Sequence, residues 1–260
     1  NKNTLQEVAR LLVEHGYENS ELSVLESLGS SEEKITSFIA SKVENAKISD
    51  FYVLAINCIV SPQKTYLPLT PGLPISAYEH DGQITKSQVR AATIAALAPA
   101  KGALLWDIGA GSGSVAIEWM RAAQKTKAIA FEKDPTRCKN IELNKEKLGV
   151  PGLKIVSGSA IKNLAGQPAP NAVFLGGDVS NDLLFEACWR ALLPGGRLVA
   201  NAVTIESQSA LFERQKIHGG DVISIQISSL EYIGSRALMR PSLPVTQWVV
   251  IKPAILQGEG

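Results

Sequence analysis

Apolar residues recur along this chain in two rhythms, and from Thr85 onward the rhythms alternate. Short apolar runs bounded by turn residues predict buried strands, and runs spaced three and four apart predict helices. "TKSQVRAATIAALA" reads as a helix and "GALLWDIG" as a strand; "SVAIEWMRAAQ" and "KAIAFEKD" repeat that pair. "PTRCKNIELNKEKLG" is a helix with Pro135 in its first turn. "LKIVSGS" and "NAVFLGG" are strands, "NDLLFEACWRALLPGG" a helix, "RLVANAV" a strand and "IESQSALFERQKIHGG" a helix. "DVISIQISSL" and "VTQWVVIKP" close the pattern as two strands joined by an irregular stretch. Repeated strand–helix units predict a mainly parallel sheet, with the last strand as an antiparallel edge insertion.

The first 60 residues follow a different plan. Thr4 and Glu7 have capping-box spacing before "LQEVARLLVEHG", and Ser30 with Glu33 has the same spacing before "EEKITSFIASKVENA". "LSVLESLG" and "FYVLAINCIV" read as strands. Two helices and two strands bury little surface alone, so this piece is expected to belong to something larger. Residues 61–82 hold four prolines, two glycines and no period, and are expected as a linker. The expected domains are therefore 1–60, the linker 61–82, an α/β domain over 83–253, and a tail over 254–260.

Composition narrows the classes. Formal net charge is +1, which excludes a global basic field for nucleic acid. Cys58, Cys138 and Cys188 are too far apart in sequence for a C-x-x-C zinc pair, and they point to a reducing, cytoplasmic setting. No apolar run reaches the roughly 18 residues of a membrane span. The polar start lacks both a signal-peptide pattern and a Met, so the chain is expected to be a fragment. His15, His80 and His218 lie in distant segments and form no metal set.

The chemistry concentrates in "LLWDIGAGSGSVAIEWM". Asp107 ends a strand, and Gly109, Ala110, Gly111, Ser112 and Gly113 make the turn into the next helix. Lacking Cβ atoms, glycines let a backbone take positive φ and touch a ligand. The spacing is G-x-G-x-G, whereas dinucleotide sites use G-x-G-x-x-G to seat a pyrophosphate. S-adenosylmethionine carries no phosphate, and Asp107 suits its ammonium or a bound water. Glu132 ends the second strand 19 residues after Gly113, where a carboxylate can accept ribose hydroxyls. Ser159 and Ala160 stand at the third strand end, and Gly176 and Gly177 at the fourth.

The stretches "EHDGQITKSQVRA", "WDIGAGSGSVAIEW", "FLGG" and "PVTQW" resemble the decarboxylating precorrin-6Y methyltransferases of cobalamin biosynthesis (CobL type). Residues from Asp81 to about Pro253 are similar to their CbiT-like class I methyltransferase domain, and residues 1–60 to the end of a CbiE-like tetrapyrrole methylase domain. The resemblance implies a Rossmann-like fold with a mainly parallel, seven-stranded sheet. It implies S-adenosylmethionine held by Thr85, Gly109 to Gly113, Glu132 and Ala160. It implies a precorrin substrate, methylation of a meso carbon, loss of carbon dioxide from the ring C acetate, and a homo-oligomer (a tetramer). It implies neither metal nor nucleophilic side chain. The family usually carries Asp before the alanine, where this chain has Ser159.

The remaining polar residues divide less sharply. Arg236 and Arg240 precede the last strand and are the expected clamps for substrate carboxylates, although a solvated loop fits them equally. Thr85 with Gln88 also reads as a capping box. Trp106, Trp119, Trp189 and Trp248 are expected in the core. Two other functions remain open: a tRNA or protein methyltransferase, and a nicotinamide-binding oxidoreductase or nucleotide sensor. The first lacks an N-P-P-Y-like motif, and the second lacks G-x-G-x-x-G.

Overall fold

The computed structural model describes residues 3–43, 46–63 and 67–254, so the expected tail beyond Ala254 lies outside the described residues. The chain divides into two compact units, Asn1–Leu67 and Pro68–Gly260. Among the described residues no helix is long and apolar enough to cross a membrane.

The first unit is one helix on a three-stranded antiparallel sheet. Helix α1 (Asn3–Glu14) buries Leu5 and Ala9 against Leu22 and Val24 of strand β1 (Glu21–Glu26). Thr4 is inside this helix rather than at its cap. Strands β2 (Lys34–Ile39) and β3 (Tyr52–Asn57) flank β1 on either side. The expected second helix is therefore a strand, followed by a short 3-10 turn at Ala40–Lys42. Ile35, Thr36 and Ile39 are β-branched and suit a pleated surface. The Ser30–Glu33 spacing serves the turn before that strand: Ser30 Oγ donates to Ser27 O at 2.8 Å, and Glu33 Oε2 accepts from Gly29 N at 2.7 Å.

In the second unit, seven strands form one sheet in the order β6-β5-β4-β7-β8-β12-β9. They are β4 (Leu104–Ile108), β5 (Lys127–Glu132), β6 (Lys154–Ser157), β7 (Ala172–Leu175), β8 (Arg197–Ala202), β9 (Asp221–Ile225) and β12 (Val245–Ile251). The five strands from β4 to β8 are parallel. Strand β12 is antiparallel to both β8 and β9 and lies between them, so the last strand is inserted one place inside the edge. Its burial explains the position. Gln247, Trp248 and Val250 are buried, whereas β9 exposes Ile223. The stretch expected as irregular is an exposed hairpin of β10 (Ser228–Ile233) and β11 (Arg236–Pro241).

Six helices accompany the sheet: α2 (Ser87–Leu97), α3 (Ser114–Ala122), α4 (Pro135–Lys147), the one-turn α5 (Ala160–Asn163), α6 (Asp182–Ala191) and α7 (Ile205–His218). Asp134 caps α4 by accepting from Thr136 N and Arg137 N. Trp106, Phe131, Val173, Leu198 and Trp248 of the sheet join Leu184, Phe185 and Leu211 of the helices in one core. Trp189 is only partly buried at its margin. His218 packs among Phe185, Trp189 and Trp248, with its ring 4.6 Å from that of Trp189.

Residues 68–82 are strapped to this unit by a buried ion pair. Arg90 of α2 and Glu118 of α3 are 0% and 1% exposed, and Nε donates to Oε1 at 2.6 Å. Glu118 also accepts from Gly72 N at 2.7 Å, Leu73 N at 3.0 Å and the Tyr78 hydroxyl at 2.9 Å. Arg90 also donates from Nη1 to the Thr85 carbonyl and from Nη2 to the Leu73 carbonyl. Burial, and then the Glu118 charge, raise the Tyr78 phenol above its ordinary value, so it stays protonated as a donor. Asn144 of α4 extends the strap by accepting from Glu79 N at 2.7 Å and donating to Glu79 O and Ser112 O.

Removing one member of a buried pair leaves the other charge without a partner. Glu118→Ala is therefore expected to lower stability by about 3–5 kcal/mol, read from urea unfolding. Tyr78→Phe is expected to cost about 1 kcal/mol, because it removes one hydrogen bond.

Candidate active site

The site forms where the sheet order reverses. The chain runs outward from β4 to β5 and β6, then returns to β7 on the other side of β4. Open α/β sheets bind ligands beyond the carboxyl ends of their strands at such a switch point. The glycine turn lies there, pinned by Gly109 N and Ala110 N donating to Phe131 O.

The three glycines have positive φ values of 72°, 59° and 75°, and each serves a different purpose. A Cβ on Gly109 would stand 2.9 Å from Gly177 N, so this glycine permits the close approach of the β4 and β7 ends. A Cβ on Gly113 would stand 2.9 Å from Ile141 Cγ2, so this one permits α3 to pack on α4. At Gly111 the nearest atom would be Gln83 O at 3.9 Å. Only the middle glycine therefore faces open space.

Asp107 is turned inward. Its Oδ2 accepts from Ala116 N at 3.0 Å, and its Oδ1 is buried without a partner among the described residues. Burial, opposed by the Ala116 hydrogen bond and reinforced by the Glu132 charge, pushes its pKa up to about 7. Its sequence-based placement beside a ligand ammonium is not what the side chain does; it fastens the first turn of α3. Glu132 is buried but faces the turn. Its Oε2 accepts from Gly111 N at 2.8 Å, and its Oε1 accepts from Lys133 N and Asp134 N. One carboxylate thus shapes both the glycine turn and the loop after β5.

Two cavities meet at this turn. The larger, of about 560 Å³, is lined by Thr85, Ala110, Gly111, Ser112 and Gly176 of the expected site residues. The smaller, of about 270 Å³, is lined by Glu132, Ser159, Ala160 and Gly177. Gly109 borders both, while Asp107 and Gly113 border neither. Ser112 Oγ is buried and has no partner among the described residues. The expected Thr85 cap is displaced: α2 starts at Ser87 with Lys86 at its N-cap, leaving Thr85 on the cavity wall.

Several lining residues escaped the sequence reading. Arg137 borders both cavities and reaches back to Asp81 at 2.8 Å and Gln83 at 2.6 Å. Its place on the exposed start of a helix gives no sequence signal. Lys86, Asn201, Ser242 and Leu243 line the larger cavity, and Asp178, at a φ of 51°, lines the smaller. Among the described residues, the lining of the larger cavity includes two cations, Lys86 and Arg137, and no carboxylate.

Arg236 and Arg240 do not border either cavity. Both lie on the exposed hairpin, where Arg240 pairs with Glu231 at 2.7 Å. Their basic run follows the hairpin's cross-strand pairing, which sequence spacing alone does not reveal. His80 accepts from Gly82 N at 3.0 Å and is exposed.

The raised Asp107 pKa has a sign for stability. The folded state holds a proton that the unfolded state releases near the ordinary 3.8, so stability from this group falls as pH rises from about 4 to about 7. Asp107→Asn is expected to flatten that slope relative to the parent protein, measured by denaturant unfolding across this range.

A family model described as the precorrin methyltransferase domain matches residues 76–252. A precorrin-6Y C(5,15)-methyltransferase [decarboxylating] from Sinorhizobium sp is 45% identical over 243 residues, 94% of this chain and 59% of that protein. The chain thus spans less than two thirds of that relative's length. A cobalt-precorrin-6B C(15)-methyltransferase (decarboxylating) from Salmonella typhi is 31% identical over 168 residues, 62% of this chain and 85% of that protein. Among solved structures, the C-terminal domain of precorrin-6Y C5,15-methyltransferase from Rhodobacter capsulatus is 44% identical. Its TM-score is 0.68, over 72% of this chain and 100% of that one. The strand order and the antiparallel insertion are those of the class I S-adenosylmethionine-dependent methyltransferase fold. By the family model, the identity and the shared fold together, this chain belongs to the precorrin methyltransferase domain family.

Proposed function

We propose that this chain is an S-adenosylmethionine-dependent C-methyltransferase of cobalamin biosynthesis that methylates a meso carbon of a precorrin and decarboxylates its ring C acetate. The observation that carries the reading is the pair of cavities meeting at Gly109, one beside a buried carboxylate and one lined by cations without any carboxylate. The names of the Sinorhizobium and Salmonella relatives support it.

The residues fit the cofactor. The open face of Gly111, the orphan Ser112 hydroxyl and the Glu132 carboxylate suit a phosphate-free, polyhydroxylated ligand with a charged amino-acid end. Gly177, Ser159 and Ala160 complete the adenosine side, and Thr85 with Gly176 the methionine side. When bound, S-adenosylmethionine supplies a methyl group on a sulfonium.

Among the described residues the larger cavity offers no histidine, cysteine or carboxylate as base or nucleophile. Its walls of Ile84, Val89, Phe174, Val203, Ile225 and Val245 exclude water from an acceptor and align it instead. The electron-rich macrocycle provides the nucleophilic carbon itself. Lys86 is the ammonium for a peripheral carboxylate. Its Nζ donates to Ser242 Oγ, and it has no ion pair among the described residues. It takes over the role expected of Arg236 and Arg240.

The same reading assigns residues 1–60 to the end of a CbiE-like domain and 83–253 to a CbiT-like domain; of the expected linker 61–82, residues 68–82 are packed on the second unit instead. The length of the Sinorhizobium relative supports the reading. It places the protein in the cytoplasm, which suits three free cysteines. It also assigns a homo-oligomer, supported by a hairpin that exposes Leu230, Tyr232, Ile233 and Met239.

The test is incubation with precorrin-6Y and S-adenosylmethionine, followed by mass spectrometry. One methyl gained and one carbon dioxide lost is expected, and an unchanged precorrin overturns the reading. Gly111→Val is expected to remain folded yet lose S-adenosylmethionine binding by calorimetry, because a branched side chain fills the open face and resists positive φ. Lys86→Ala is expected to raise the KM for the precorrin about threefold to tenfold and to weaken its salt dependence. Arg236→Ala and Arg240→Ala are expected to leave that KM unchanged.

A further inference from the structure

Asn201, at the end of β8, belongs to a polar cluster that the reading above leaves without a role. It faces Gln247 of β12 as a cross-strand pair, and Thr93 of α2 covers both. Thr93 and Gln247 are 0% and 1% exposed, an unusual place for polar side chains between a helix and a sheet. Their hydrogen bonds determine which way the Asn201 amide points. Thr93 Oγ1 donates its only hydrogen to Val89 O at 2.8 Å, so toward its other neighbours it can only accept. Asn201 Nδ2 donates to it at 2.9 Å and Gln247 Nε2 at 3.2 Å. Gln247 Nε2 gives its second hydrogen to Asn201 Oδ1 at 2.9 Å. Among the described residues one N–H of Asn201 is left without a partner, and Asn201 lines the larger cavity.

That N–H is a neutral donor in a cavity whose cations, Lys86 and Arg137, come from other elements. Val203, just past the end of β8, lines the same cavity, as do Phe174, Ile225 and Val245. A carboxylate there would be oriented but weakly solvated, and such a carboxylate loses carbon dioxide more readily than one paired with a cation, because its charge disperses in the transition state. We infer that Asn201, aimed by Thr93 and Gln247, is the positioning residue for the acetate carboxylate that is lost. In that step the bond between the acetate methylene and the carboxyl carbon breaks, and its electron pair enters the conjugated macrocycle. Carbon dioxide leaves, and the methylene carbon takes a proton from water to become a methyl group. The inference rests on the proposed methyltransferase activity.

The test separates the two half-reactions by product mass, with precorrin-6Y and S-adenosylmethionine. Asn201→Ala removes the donor. Asn201→Asp keeps the size but sets a like charge against the acetate. Gln247→Glu lacks the two amide N–H groups and so loosens the Asn201 amide from its fixed direction. All three are expected to accumulate methylated product that still carries its carboxylate, with carbon dioxide loss slowed about tenfold relative to methyl gain. S-Adenosylmethionine affinity is expected to be unchanged, which confirms that each variant is folded. A wild-type ratio of the two products, or equal loss of both steps, overturns the inference. Absence of both steps in the parent chain overturns the methyltransferase reading instead. Should Gln247→Glu fail to fold, the two Asn201 variants decide the question.

Discussion

The site depends on one buried contact, the Arg90–Glu118 ion pair. Glu118 satisfies two backbone N–H groups and a tyrosine hydroxyl, and Arg90 two carbonyls, all from the segment that precedes α2. Taking two charges out of water is costly, and the pair is worthwhile because each guanidinium nitrogen and each carboxylate oxygen has a partner. The result is that a stretch with no more than a 3-10 turn at Ile75–Ala77 holds Gln83, Thr85 and Lys86 against the larger cavity. An apolar contact of the same size could seal the core but could not fix the backbone direction of that segment.

The glycine turn and Glu132 form the other fixed point. Gly109 and Gly113 lack side chains because neighbouring elements occupy that space, and only Gly111 leaves it free for a ligand. Glu132 binds the turn through Gly111 N, so one carboxylate organises both walls. Charge then separates the cavities: acids and bases mix in the smaller, whereas the larger has Lys86 and Arg137 within apolar walls. This division suits a polyhydroxylated cofactor on one side and a large polycarboxylate on the other, with the acceptor chemistry left to alignment and desolvation.

The sequence by itself determined the strand–helix alternation after Thr85, the glycine turn, and the placement of Glu132, Ser159, Ala160, Gly176 and Gly177 at strand ends. These follow from local periods and turn chemistry, which neighbouring residues decide. Tertiary structure decided the rest. The spacing of Ser30 and Glu33 fits a helix start, but pairing with β1 made the following residues a strand. Asp107 reads as a ligand acid, yet the first turn of α3 claims it. Arg236 and Arg240 read as clamps, yet their hairpin directs one to Glu231 and keeps both off the cavities. Arg137 and Asn201 carry no motif of their own, and Lys86 lies in a stretch that marks the family without assigning it a role. They meet only because α4, the N-terminus of α2 and the end of β8 converge in space, and sequence spacing does not encode convergence between separate elements.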